Sequence, residues 1–354
     1  MRAVLDGQRL RLHGLSQLPR PLRQGPLPTQ RHGAADERVH GDAGGLGGGD
    51  EQPHAAQGLP DLHLVHGPGR VHGPLRPPRD GAIAEADSVI LNTVDELEPA
   101  ALDAMRAMFP PTLPIHTLGP LAFLAEQIVP KGGPVDALGS NLWKEDLTCF
   151  RFLDGKEPRS VVYVNYGSIT VMTNEELLEF AWGLANSGQA FLWIIRPDLV
   201  KGDAAVLPPE FLESIEGRGV LASWCPQEEV LRHEAVGVFL THSGWNSTVE
   251  SLCGGVPMLC WPFFAEQQTN CRYGCMEWGV AMEIGHDVRR EAVEAKIREA
   301  MCGEKGKDMR SRAAEWREIS ACATRPGGRS YANLEKLVAD VLLSGGKPIE
   351  LLKR

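Results

Sequence analysis

No Cys-x-x-Cys pair occurs in this sequence; its 8 cysteines stand at 149, 225, 253, 260, 271, 275, 302 and 322. In a chain of 354 residues that scatter argues against a disulfide frame or a thiolate zinc site and reads as reduced thiols. Long apolar runs are also missing. The longest, around 257–264, is broken by Pro257 and Pro262 and falls far short of a membrane span. No charged stretch followed by an apolar one opens the chain, so the expectation is a cytoplasmic protein without a secretory signal. Positive charge is not in excess: the formal net charge is −10, which offers neither nucleic acid nor anionic membrane a field to follow. Among nucleotide-binding patterns, there is no Gly-Lys-Ser or Gly-Lys-Thr, no Gly-x-Gly-x-x-Gly after a strand and no Asp-x-Asp pair for a metal-bound diphosphate. A diphosphate held here would have to be neutralised by dipoles and side chains, with no metal and no separate cofactor.

Residues 1–80 contain no Ile, Phe, Tyr, Trp, Lys, Asn or Cys, yet they hold 14 Gly, 10 Pro and 7 of the 11 His. At that Gly and Pro content, low complexity is the default, and too little apolar area opposes the ordering entropy. Ten Arg stand against eight acids there, which leaves the other 274 residues at −12 of the chain's −10. Ten Arg without a single Lys is unusual even for a linker, and an out-of-frame reading of a GC-rich coding sequence, or a misplaced start, would produce it. The seven histidines, at 13, 32, 40, 54, 63, 66 and 72, are too irregularly spaced for a ligand set. The expectation for 1–82 is an aberrant, disordered segment.

Ordinary globular texture begins near Ile83. Ser88–Thr93 and Ile115–Leu121 read as strands, Pro99–Phe109 as a helix, and Gly132–Ser140 as a Pro/Gly-rich linker. A regular alternation follows. Strands are expected at Val161–Asn165, Ala190–Ile195, Val220–Ser223, Val236–Thr241, Val256–Cys260 and Val280–Ile284. Helices are expected at Asn174–Asn186, with Thr173 as N-cap and Gly188 beyond its end, and at Glu228–Arg232, Asn246–Cys253 and Ala265–Trp278. Three more, near 290–302, 308–322 and 329–343, finish the chain. Strand–helix alternation at this spacing predicts an α/β, doubly wound parallel sheet whose ligands sit outside the carboxyl ends of the strands.

That rule points to Thr241-His242-Ser243-Gly244-Trp245-Asn246-Ser247-Thr248, which leaves a strand and opens a helix. Successive N–H groups and the helix dipole there suit a diphosphate. Asn246, Ser247 and Thr248 add side-chain donors, His242 a donor or a charge, and Glu250 an acceptor for ribose hydroxyls. The same residues also read as nothing more than a helix start with a packed Trp. Asn246-Ser247-Thr248 matches a glycosylation sequon too, a poor reading for a cytoplasmic chain. Trp261 and Trp278 are expected in the core, and Arg232-His233 at a solvated helix end.

Trp224-Cys-Pro-Gln227, His242-Ser-Gly-Trp-Asn-Ser247, Glu250 and Pro262-Phe-Phe-Ala-Glu-Gln267 together resemble the 44-residue signature box of plant UDP-dependent glycosyltransferases; the span from Trp224 to Gln267 has that length. Val161–Met172 and Gly327–Ser330 match further family patterns, and similarity runs from about Ile83 to Leu343. The nearest group includes the cyanohydrin, cytokinin and terpenoid glucosyltransferases. The resemblance implies a GT-B fold whose C-terminal Rossmann-like donor domain is intact and whose N-terminal acceptor domain is largely missing. It implies that Trp224 stacks on uracil, that Cys225 contributes its backbone, and that Gln227 and Glu250 bind the uracil or ribose edges. His242, the Gly244 backbone, Asn246 and Ser247 would hold the diphosphate, with Ser168 facing them. Trp245, Glu266 and Gln267 would line the sugar pocket, Gln267 tending to go with glucose donors, and Phe264 and Ala265 would belong to the donor site with them.

The family reaction inverts the anomeric carbon, a base taking the acceptor hydroxyl proton while a helix terminus stabilises the departing diphosphate. The family's base is an N-terminal His oriented by an Asp. This sequence has no matching context for them, so no catalytic residue is assigned. The implied division is 1–82 aberrant, 83–140 acceptor-domain remnant and linker, 141–325 donor domain and 326–354 a C-terminal helix that loses its contact with the missing domain. The implied partners are a UDP-sugar and a small hydroxylated acceptor. The alternative is a UDP-sugar-binding remnant without turnover.

Overall fold

The computed structural model describes residues 3–6, 9–12, 88–133, 144–200 and 206–343. The seven N-terminal histidines and most of the Gly132–Ser140 linker lie outside them. Six parallel strands form the larger sheet: β5 (Val161–Asn165), β6 (Ala190–Ile194), β7 (Gly219–Ala222), β8 (Val236–Thr241), β9 (Met258–Cys260) and β10 (Ala281–Glu283). Their order is β10-β9-β8-β5-β6-β7. Every residue of β5, β8 and β9 is buried, as strands covered on both faces must be. Val162 and Val164 meet Leu177 and Phe180 of α4 (Asn174–Ser187) and Val293 and Ile297 of α9 (Arg290–Cys302). Val161 and Tyr163 meet the other layer: Leu153 of α3 (Thr148–Asp154), Leu231 of α6 (Gln227–Arg232), Leu252 of α7 (Trp245–Gly254) and Cys271 of α8 (Gln267–Met276). Period-two alternation along β5 thus feeds two cores, and each large side chain buried is worth roughly 1.5–3 kcal/mol. Trp261 and Trp278 are in these cores, as the sequence predicts, and all eight cysteines are free thiols.

The chain runs outward from β5 through β6 to β7, then returns to place β8 on the other side of β5. That reversal creates the switch point, with the loops after β5 and β8 side by side at the carboxyl edge.

A smaller sheet has the order β2-β1-β3-β4, built from β1 (Ala3–Asp6), β2 (Arg9–Leu12), β3 (Ser88–Leu91) and β4 (Ile115–Thr117). Strands β1 and β2 depart from the expectation of an unstructured start. Gly7-Gln8 separates them, Arg9-Leu-Arg-Leu12 alternates strictly, and β1 pairs antiparallel with β3. Three short helices were also not expected: α2 (Leu121–Ile128), α3 and α5 (Pro209–Ser214). Each has eight residues or fewer, too short to establish an apolar period. The remaining helices are α1 (Pro99–Met108), α10 (Glu304–Thr324) and α11 (Arg329–Leu337), which continues as a π-helical turn over Val338–Leu342.

The smaller sheet's side of the chain is tied to the larger sheet's side. Trp245 Nε1 donates to Asn92 O at 2.8 Å and Trp278 Nε1 to Leu97 O at 3.0 Å. The C-terminal helix α11 keeps a contact here that the sequence reading gave up: Ser330 Oγ donates to Gly119 O at 2.6 Å and Asn333 Nδ2 to Thr117 O at 3.0 Å. Arg232 is no solvated end either; it pairs with Glu126 and lies over the Phe123 ring at 5.1 Å. Trp278→Phe leaves the Leu97 carbonyl without its buried donor. The expected loss is about 1–3 kcal/mol of stability, read from urea unfolding of the full chain; an unchanged midpoint would show that this tie contributes nothing.

Candidate functional site

At the carboxyl end of β8 the backbone turns sharply. Ser243 is left-handed, with φ 64°, a conformation a non-glycine residue holds only under constraint. Two bonds impose it: Ser243 N–H to Thr241 Oγ1 at 3.2 Å, and Asn270 Nδ2, from α8, to Ser243 O at 2.9 Å. The turn drives the His242 imidazole into the space between two glycines. A Cβ on Gly167 would lie 2.4 Å from His242 Nε2, and one on Gly244 would lie 2.5 Å from it. Gly167 is also left-handed, with φ 75°, so the loop after β5 needs glycine there twice over. Burial, and secondarily the nearby Arg196 charge, pushes the His242 pKa down to about 4. At neutral pH the imidazole is therefore uncharged, with one N–H to give.

Helix α7 starts at Trp245 with Gly244 as N-cap and no side-chain cap. The first main-chain bond back to the cap is Thr248 N–H to Gly244 O at 2.9 Å. The amides of Trp245, Asn246 and Ser247 have no carbonyl one turn earlier to bond, and the positive end of the dipole lies there. Asn246 is exposed, Ser247 is buried, and Ser168 is half-buried in the loop after β5.

Gln227, the first residue of α6, is the hub of a second group. Its Oε1 accepts from Tyr163 Oη at 3.1 Å and Asn165 Nδ2 at 2.8 Å. Its Nε2 donates to Ser247 Oγ at 2.9 Å and Glu250 Oε2 at 2.6 Å. Burial raises the Glu250 carboxyl to about 7, against the opposing pull of the Gln227 hydrogen bond. Trp224 is half-buried just after β7, and its carbonyl accepts from Asp146 N–H at 2.9 Å. Cys225 turns its thiol inward against Tyr163 Oη at 3.3 Å, with its pKa pushed up to about 12 by burial. Only its backbone is left to serve a ligand.

The third group is Phe264, Ala265, Glu266 and Gln267. Ala265 is left-handed at φ 56°, and Glu266 is exposed at the N-cap of α8. Gln267 is buried, and its Oε1 accepts from the amides of Phe263 at 2.9 Å and Phe264 at 3.2 Å. That oxygen shapes the loop; Nε2 is the end it leaves for a ligand. Trp245 likewise commits its indole N–H to Asn92, so its backbone amide, not its ring nitrogen, faces the helix terminus.

The structure brings the sequence-named Gln227, Ser247 and Glu250 together and sets His242 beside them; the residues that hold them, Tyr163, Asn165, Arg196 and Asn270, were not named from sequence. Asn165 and Arg196 carried a signal, each being a polar residue that closes an apolar strand run, Val161–Val164 and Phe191–Ile195. Among the described residues no group of three or more His, Cys, Asp or Glu could hold a metal ion, and no helix is long and apolar enough to cross a membrane. Gln227→Leu removes the hydrogen bond that favours the ionised Glu250. Its carboxyl should then titrate above about 7 by carbon-13 NMR; a midpoint unchanged from wild type would contradict the hub assignment.

Comparison with known proteins agrees with this architecture. The profile described as "UDP-glucoronosyl and UDP-glucosyl transferase" matches residues 91–310. A 7-deoxyloganetin glucosyltransferase of Gardenia jasminoides is 59% identical over 261 residues, which is 73% of this chain and 53% of the relative. An (R)-mandelonitrile beta-glucosyltransferase of Prunus dulcis is 56% identical over 260 residues, again 73% of this chain and 53% of the relative. The chain therefore spans about half the length of the curated relatives it matches. Among solved structures, Os79 from O. sativa in complex with UDP superposes with TM-score 0.64 at 33% identity, covering 71% of this chain and 55% of that one. Phytolacca americana UGT2, complexed with UDP-2fluoro-glucose and pterostilbene, superposes with TM-score 0.63 at 31% identity, covering 73% and 56%. The fold is the GT-B arrangement of those structures, with its parallel donor half complete. By profile, identity and fold, this chain belongs to the UDP-glucoronosyl and UDP-glucosyl transferase family.

Proposed function

We propose that this chain binds a UDP-sugar across the β5/β8 switch point and serves glucosyl transfer from UDP-glucose to a hydroxyl of a small plant metabolite, with inversion. One observation carries the reading: the neutral His242 and the Gln227–Glu250 hub both meet the first turn of α7, His242 packed against Gly244 and Gln227 bonded to Ser247 and Glu250. Relatives named as glucosyltransferases, and a neighbour that binds UDP, support the donor class. Trp224 offers the face for uracil, and Gln227 and the ionised Glu250 take the uracil and ribose edges. The amides of 245–247, with Asn246, Ser247, Ser168 and the His242 N–H, take the diphosphate and the charge that grows on it as the glycosidic bond breaks. Glu266 and the Nε2 of Gln267 line the sugar.

The proton acceptor is a separate matter. His233 and Asp154 pair at 3.1 Å, the arrangement expected of an oriented base, but His233 precedes the first residue of β8. The six-residue strand puts roughly 20 Å between it and the carboxyl edge. No described residue is assigned that role. Binding without turnover is therefore the reading to set beside transfer, and a transfer assay on a chain shown to bind UDP-glucose separates them.

Calorimetric titration of UDP-glucose into the full chain should give saturable binding. Trp224→Ala should weaken it by about 1–3 kcal/mol, the usual worth of one base stacked on an aromatic ring, and His242→Ala by about tenfold or more. A folded, monodisperse sample that binds nothing, or variants that bind as well as wild type, would overturn the reading. A ribose hydroxyl donates to ionised Glu250, so affinity should rise several-fold between pH 6 and pH 8, while His242, titrating near 4, contributes nothing in that range. Glu250→Gln should bind more weakly at pH 8 and show no such rise.

A further inference from the structure

Arg196 follows β6, and its side chain is 2% exposed. It is not half of a buried ion pair. Its Nε donates to Asp198 Oδ1 at 3.0 Å, but the Asp198 side chain is 58% exposed. Its other donors go to main-chain carbonyls of the loop after β5: Nη1 to Gly167 O, and Nη2 to Thr170 O at 2.7 Å. Taking a guanidinium out of water for two neutral carbonyls and a solvated carboxylate is a poor bargain if the position only needs filling. The loop explains the choice. It contains left-handed Gly167 and carries Ile169 at 67% exposure, so little apolar packing holds it. Gly167 N–H is tied to Asn165 Oδ1 at 3.0 Å, and the two carbonyls are tied to Arg196.

We infer that Arg196 is a positioning residue of the donor site: its planar fork clamps the Gly167–Thr170 loop across His242, facing the N-terminus of α7, and adds a buried positive charge behind the place a diphosphate occupies. The inference rests on the donor-site reading above and names the residue that holds one wall of it. Lysine cannot do the same, because one ammonium does not reach two carbonyls and a carboxylate from fixed directions. The charge acts on the site through His242, whose imidazole touches Gly167 and whose proton affinity Arg196 lowers.

The test uses the full chain and three readouts: UDP affinity by calorimetry, amide exchange of Ser168, Ile169 and Thr170, and the titration of His242 by nitrogen-15 NMR of labelled histidines. Arg196→Met should lose at least tenfold in UDP affinity, speed exchange at those amides at least tenfold, and move the His242 midpoint up from about 4. Arg196→Lys keeps the charge and the stem and guards against a variant that does not fold. It should keep the low His242 midpoint while losing the slow exchange. A cooperatively folded Arg196→Met chain with UDP affinity within twofold of wild type, unchanged exchange and an unmoved His242 would overturn the assignment. A wild-type chain that bound no UDP would defeat the donor reading instead, and the exchange and histidine readouts would still decide what Arg196 does.

Discussion

The contact on which the rest depends is the imidazole of His242 set between the α-carbons of Gly167 and Gly244. It joins the loop after β5 to the loop after β8, the two strands between which the sheet reverses direction. Neither glycine tolerates a Cβ, and the intervening Ser243 is held left-handed by Thr241 and Asn270. The imidazole thus packs the loop after β5 against the first turn of α7. A diphosphate needs that kind of preorganised donor array, since binding energy spent on arranging amides is lost to affinity.

Electrostatics at the site follow from burial as much as from composition. The chain is acidic overall, at −10, yet the β5/β8 switch point gathers a helix N-terminus, a buried guanidinium and a histidine kept neutral. The Glu250 carboxyl, raised to about 7 by burial, is hydrogen-bonded by Gln227. On the reading proposed above, an acidic protein holds a dianion with neutral donors, a helix terminus and one buried guanidinium.

Much of this was legible in the sequence, for reasons that can be named. Thr173 and Glu176 form the reciprocal capping box their spacing suggests, and Gly188 takes the left-handed cap after α4. Strand β5 was placed to the residue because it is buried on both faces and ends at a polar Asn165. Two site residues, Ser247 and Glu250, meet on Gln227 because it opens α6 while they lie one turn apart on α7, a convergence that only the tertiary packing of two helices reveals. Arg232 was misplaced at a solvent-facing helix end because its partners, Phe123 and Glu126, lie over a hundred residues earlier on a helix too short to announce itself. The indoles of Trp245 and Trp278 read as apolar bulk; their N–H groups tie the smaller sheet's side of the chain to the larger sheet's side, and no periodicity encodes that.

The smaller sheet is consequently joined to the C-terminal part of the chain: Ser330 and Asn333 of α11 bond to Gly119 and Thr117. The central claim is that the chain carries a formed nucleotide-diphosphate site at the switch point. A crystal structure of the full chain grown with UDP tests it most directly. The diphosphate should lie against the amides of Trp245, Asn246 and Ser247 with uracil on Trp224. A diphosphate bound away from those amides, with no density against the first turn of α7, would contradict it.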